Sequence, residues 1–190
     1  MTQPNTPALA DHRSATAILT WKRALRIALG ALVVAISAQA AIDLPGNPVP
    51  ITLQGLAVIL VGGILGAKAG TAALVLYLLA GMSGLPVFSG GRAGAAWLLG
   101  PTGGYLLAFP LGAAVTGALA RRREMVRCLG AALAGMVVIH LGGIAQLSIL
   151  SGGLTVPFKA TSPLIAADLV KVIIAALLIA RLRPGTSPRA

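Results

Sequence analysis

The stretch Leu164–Ala180 reads LIAADLVKVIIAALLIA and is wholly apolar apart from Asp168 and Lys171. About 20 apolar residues cross the ~30 Å hydrocarbon core of a bilayer, so a run of this length and composition predicts a membrane-spanning helix. Charges inside such a span are costly; they face a protein interior or a polar cavity and mark function. Positions i and i+3 share a helix face. The carboxylate and the ammonium therefore compensate each other, and together they present an acceptor beside donors to a polar ligand head. The plainer alternative is a structural ion pair that locks helices together.

The rest of the chain has the same character. Of its 190 residues 57% are hydrophobic and 10% are charged, with a mean hydropathy of +0.91. Soluble domains carry about 25% charged residues, so the composition predicts an integral membrane protein with no room for a large soluble domain. The net charge of +11 does not indicate nucleic-acid binding, because the basic residues sit at the ends of apolar spans instead of on one polar face. Cys128 is the one cysteine, so no internal disulfide can form.

Five uncharged stretches precede the opening one: Ile27–Ile42, Ile51–Ala67, Ala69–Leu85, Gly103–Ala120 and Cys128–Leu150. The expected fold is all-α, an integral membrane bundle of six transmembrane helices. It occupies residues 21–183, between a polar, mostly disordered cytoplasmic tail (1–20) and a short cytoplasmic tail (184–190). Six spans place both termini on one side of the membrane. On that side fall Arg13, Lys22, Arg23, Arg26, Lys68, Arg121, Arg122, Arg123, Arg127, Arg181, Arg183 and Arg189; the opposite loops hold Arg92 and Lys159. Twelve basic residues against two place both ends in the cytoplasm by the positive-inside rule. The basic stretch, apolar run and Ala38-Gln39-Ala40 resemble a signal peptide with its cleavage site. The long polar tail ahead of them, and the loss of a helix from the bundle, argue against cleavage.

With this topology the sixth span enters from outside, and the 1.5 Å rise per residue puts Asp168 and Lys171 about 6 and 10 Å below its outer end. The outer loops, DLPGNPVPIT, GLPVFSGGRAGAAWLLGPTGG and SGGLTVPFKATSP, are long and rich in Gly and Pro, whereas the inner connections are short and basic. Long loops over one face of a bundle are where binding sites form. The expectation is a pocket open to the outside and floored by the sixth span. Arg92 reads either as an interface anchor or as a ligand-carboxylate contact. Thr52, Gln54 and Gln39 read as pocket groups or as residues satisfying helix ends. Tyr105 and Trp97 read as pocket or interfacial aromatics, Asn47 as a turn residue, and Pro110 as a kink in the fourth span. His140, alone in its span, is assigned no role.

Ala24, Ala28, Ala31, Ala35 and Ala38 repeat at spacings of four and three along the first span. Such a stripe permits close helix packing, either within the chain or as a docking face for another membrane subunit. The sequence has no Walker-type phosphate loop, no cluster of metal ligands and no nucleophile–base set. It can bind a ligand but shows no means of hydrolysing ATP or of covalent chemistry.

The segments VPITLQ (49–54), GLPVFSGGRAG (84–94), LGPTGGYLLAF (99–109) and DLVK (168–171) resemble the BioY family, the substrate-binding S components of the energy-coupling factor (ECF) transporters for biotin. The resemblance covers about Ala24 to Leu182. It implies the six-helix S-component fold and a biotin pocket near the outer face. It also implies that Asp168 and Lys171 meet the ureido head of the ligand, whose N–H groups need an acceptor and whose oxygen needs a donor. Partners implied are a transmembrane T subunit, docked through small residues of the first helix (Ala24, Ala28, Ala31, Ala35), and its ATPases. The family also contains members without dedicated partners. No cofactor or metal is expected, since biotin is cargo. The residues themselves leave open a stand-alone proton-coupled transporter of biotin or another vitamin using Asp168, an intramembrane lipid enzyme, and an assembly subunit without ligand.

Overall fold

A computed structural model describes residues 8–183, with side chains from Thr20 onward. Six helices follow one another: α1 Ala8–Gln39, α2 Gln54–Leu65, α3 Ala67–Met82, α4 Gly103–Leu119, α5 Met125–Ser151 and α6 Thr155–Leu182. Two short strands, β1 (Ala41–Ile42) and β2 (Ile51–Thr52), pair antiparallel and close the first outer loop. The second outer loop carries two short 3₁₀ turns, Ser89–Gly91 and Ala95–Leu99. α4 lies at the centre, against α2, α3 and α5; α6 packs on α5 and α2, and α1 on α3 and α2.

Exposed apolar side chains show what surrounds the bundle. Leu129, Leu133, Val137 and Leu141 on α5, and Ile165, Leu169, Ile173 and Leu177 on α6, recur every fourth residue and are all exposed. Continuous apolar stripes of this extent are not left facing water; they face lipid. α5 and α6, with 27 and 28 residues, run about 40 Å at 1.5 Å per residue, enough to cross a bilayer.

Four expectations change. Helix α1 starts at Ala8, so residues 8–20, expected to be disordered, continue the first helix; residues 1–7 and 184–190 lie outside the described residues. The third outer loop contracts to Gly152–Leu154, because α6 begins at Thr155 instead of Leu164. Its prolines do not prevent this. Pro157 falls in the first turn, where its missing N–H has no helical partner to lose. Pro163 removes the donor that would reach the Lys159 carbonyl, and the Ser162 hydroxyl donates to that carbonyl instead, at 3.3 Å. As a consequence Asp168 and Lys171 lie at the middle of α6, about 20 and 24 Å from its outer end, not near it. Finally, α2 has only 12 residues and spans about 18 Å. The outer part of the expected second span is the extended β2 segment, whose pairing with β1 satisfies its backbone. Non-helical backbone at membrane depth is tolerated where it lines a cavity, and Thr52 does so.

The α2–α3 hairpin turns on Gly66 alone, at φ +82°, a conformation that suits glycine. At the same inner end, Arg183 Nη1 donates to the Gly63 carbonyl at 2.7 Å, and Arg123 Nε donates to the Arg183 carbonyl at 2.7 Å. These bonds tie the end of α6 to α2 and to the α4–α5 connection.

Glycines set the spacing of α4 on α5. A Cβ at Gly104 would collide with the Gly142 carbonyl, one at Gly103 with the Leu98 carbonyl, and one at Gly143 with the Tyr105 ring. The paired glycines of GPTGGY are therefore explained by backbone approach, and that approach carries Tyr105 into the core. Gly104→Val is expected to force α4 from α5 and to lower the thermal midpoint of the detergent-solubilised protein by many degrees. An unchanged midpoint would contradict the close approach.

Candidate functional site

Asp168 and Lys171 are both buried, at 6% and 7% exposure. Lys171 Nζ donates to Asp168 Oδ1 at 2.5 Å. The second carboxylate oxygen, Oδ2, lies 2.9 Å from His140 Nε2 on α5. That contact is at ion-pair distance but off the line of a directed hydrogen bond, and neither ring nitrogen of His140 has a hydrogen-bond partner. The Tyr105 ring meets the His140 ring edge-on, with centroids 6.0 Å apart. The Tyr105 hydroxyl pairs with Thr161 Oγ1 at 3.0 Å. Thr161 precedes Asp168 by two helical turns on the same face of α6.

Asp168, Lys171, His140 and Tyr105 floor a cavity that runs from the outer loops to the middle of α6. Val49, Pro50 and Thr52 from the first loop, Ser89 from the second, Thr102 before α4, and Leu106, Phe109, Ile139 and Leu164 form its walls. It encloses about 600 Å³ between atoms, counting its open mouth. Gln54, 4% exposed, also lines it, and its amide donates to the Tyr77 hydroxyl at 2.8 Å. Tyr77 in turn donates to the Val87 carbonyl at 3.2 Å, so the start of α2 is fastened to the second loop. The Thr52 hydroxyl accepts the Gln54 N–H at 3.3 Å. Asn47 does more than turn the chain: its amide donates to the Ala160 carbonyl at 2.9 Å and its oxygen accepts the Val49 N–H, which pins the first loop to α6.

Five of the six expected binding residues, Asp168, Lys171, Tyr105, Gln54 and Thr52, thus line one cavity. Arg92 does not. Its guanidinium lies over the Trp97 ring, 4.8 Å from the centroid, and its carbonyl accepts the Phe88 N–H at 3.0 Å. Three further wall groups carry no mark in the sequence. His140, alone in its span, touches the carboxylate. Ser89 Oγ is buried in the wall with no protein partner. Thr102 is the third. The alanine stripe divides: Ala31 and Ala38 are buried and Ala35 is packed against the core, whereas Ala24 and Ala28 are exposed. As a docking face, Ala31 and Ala35 are already occupied by the chain's own helices.

A six-helix membrane bundle with a polar-floored cavity beneath its outer loops defines a membrane-embedded small-ligand-binding protein. The BioY family model matches residues 10–187, and the chain belongs to the BioY family. A protein called "Biotin transporter BioY" from Thermotoga maritima is 41% identical over 75% of this chain and 85% of its own length. Another so called, from Rhizobium etli, is 38% identical over 78% and 85%. A "Probable biotin transporter BioY" from Pyrococcus horikoshii is 39% identical over 86% and 99%. The crystal structure of an S-component for biotin from an ECF-type ABC transporter superposes with a TM-score of 0.81 at 28% identity, covering 88% of this chain and 94% of that one.

An ion pair this deep is sensitive to losing one member, because the remaining charge stays buried without compensation. Lys171→Met is expected to destabilise the ligand-free protein by about 3 kcal/mol, read as a lower thermal midpoint in detergent. The double variant Asp168→Asn/Lys171→Met is expected to recover much of the loss. Equal midpoints for the single and double variants would show that the charges are solvated.

Proposed function

We propose that this protein is the S component that captures biotin from the outer side of a bacterial plasma membrane. It mediates biotin uptake together with an ECF T subunit and its ATPases. The observation that carries the reading is the buried Asp168–Lys171 pair at the floor of a loop-covered cavity in a chain of the BioY family. The ureido head of biotin has two N–H donors and one carbonyl acceptor. Asp168 supplies acceptor oxygens and Lys171 supplies N–H donors, so the head can exchange with the intramolecular bond and leave neither charge unpaired. The apolar walls, Leu106, Phe109, Ile139 and Leu164, suit the thiophane ring and the alkyl chain. The ligand carboxylate then points to the loops. Ser89 Oγ, without a protein partner, is there to donate to it. Arg92 can meet the carboxylate only by leaving Trp97.

The chain contributes binding and no chemistry, and biotin is its cargo. Energy must come from partner ATPases, and α1 offers Ala24 and Ala28 as the open part of the small-residue stripe for the T subunit. The exposed small residues admit a second helix closely.

Purified protein is expected to bind biotin, and mass spectrometry of small molecules released from it should detect biotin. Asp168→Asn or Lys171→Ala should weaken binding more than about tenfold, the loss of roughly one charge-assisted hydrogen bond. Wild-type affinity in the double variant would remove the site. Ala24→Leu/Ala28→Leu should leave biotin affinity unchanged while blocking co-purification with the T subunit. Retained co-purification would exclude that face.

A further inference from the structure

His140 is the buried titratable group that the reading above leaves without a role. It stands on α5 with Nε2 2.9 Å from Asp168 Oδ2, opposite the oxygen that Lys171 holds. Both ring nitrogens are enclosed and neither makes a directed hydrogen bond. Among the described residues, the titratable and charged groups facing the ring are Asp168 and Lys171 on α6 and Tyr105 on α4. α2, the other element walling the cavity here, brings Gln54 and Gly55 and no ionisable group. The ring also lines an apolar crevice between α5 and α6, together with Leu133, Val137, Ile165 and Leu169. It therefore forms the wall between the ligand cavity and the lipid-facing side, away from bulk water.

We infer that His140 is a positioning residue for ligand capture. It holds the free edge of the Asp168 carboxylate, and its protonation state sets how strongly that carboxylate accepts N–H donors from a ligand. The inference rests on the ligand being one that donates to Asp168, as proposed above. A carboxylate oxygen has two lone-pair sites. With one site on Oδ1 given to Lys171 and one on Oδ2 facing His140, each oxygen keeps one site for a ligand N–H. A neutral imidazole leaves the negative charge of Asp168 compensated by Lys171 alone. An imidazolium at the same distance adds a second cation to one carboxylate, weakens it as an acceptor, and gives the floor a net positive charge. Neutral His140 is then the binding form. Ligand affinity falls as His140 takes up a proton, and by linkage ligand binding releases one.

The test is biotin affinity of the full-length protein in detergent between pH 8 and pH 5.5, above the ordinary carboxylate range of ~4, so that the ligand's own carboxylate stays ionised. Wild type should bind at least about fivefold more weakly at pH 5.5 than at pH 8, the lower end of usual coupling between two sites. His140→Gln removes the titrating ring but keeps a polar group, so it should bind more weakly than wild type at pH 8, with a flat profile. His140→Phe should be weaker throughout and also flat. Calorimetry of wild type at pH ~6.5 in two buffers of different ionisation enthalpy should show proton release; this needs no variant to fold. A flat wild-type profile, no proton release, or an undiminished pH dependence in His140→Gln would overturn the inference. Failure to bind biotin at pH 8 would instead overturn the proposed function, and the inference with it.

Discussion

The structure turns on one buried ion pair. Lys171 and Asp168 meet in the middle of α6, in a bundle whose outside is apolar, and an ionised group there is tolerated only with a partner. The surroundings follow from that. α5 must bring something polar to the far edge of the carboxylate, and it brings His140. The chain on the outer side must leave a polar-lined space above the pair, and it does so by unwinding the second span at β2. A ligand that satisfies both charges can replace their mutual bond; one that satisfies only one leaves the other stranded. Selectivity for a head group with donors and an acceptor side by side follows from that condition alone.

Making room for the cavity requires tight packing elsewhere. Gly104 and Gly142 let α4 and α5 approach to backbone contact, and Gly143 leaves room for the Tyr105 ring, which reaches Thr161 and His140. Ala131, Ala132, Ala175, Ala176 and Ile179 close the inner half of the bundle below the pair, and Arg183 fastens α6 to α2 there. The outer half is held by hydrogen bonds between loops and helices, among them Asn47 to Ala160, Gln39 to the Phe88 carbonyl, and the Gln146 amide to the Leu98 and Gly100 carbonyls. The inner end is thus sealed by packing, whereas the loops above the cavity are fastened to the helices by hydrogen bonds. That difference suits a protein loaded from outside.

Much of this was legible in the sequence because membrane spans announce themselves. Apolar runs, Gly/Pro breaks and the distribution of Lys and Arg gave six helices with both ends on one side. The intramembrane charges marked the site. What was not legible concerns lengths and angular placement. Pro157 and Pro163 read as loop residues, although one sits in a first turn and the other is relieved by Ser162. The sequence pattern therefore starts α6 nine residues late and puts the pair too near the surface. The same error hid His140. α5 and α6 are joined by three residues, Gly152–Leu154, and His140 and Asp168 are each fourteen residues from Leu154, so an antiparallel hairpin brings them level. The alanine stripe carried no mark to show that its outer half packs inward and only Ala24 and Ala28 stay open. For Arg92, charge alone suggested a ligand contact; the nearby Trp97 face gave it another place to rest.

The central claim is that the ligand head takes over the bonds now shared by Asp168 and Lys171. It is tested most directly by a structure of the protein with biotin bound, at a resolution that places the ureido ring. The account predicts the ring at the cavity floor, with its N–H groups about 2.7–3.2 Å from Asp168 oxygens and its oxygen at that distance from Lys171 Nζ. A ring held among the outer loops, with Lys171 still closed on Asp168, would contradict it.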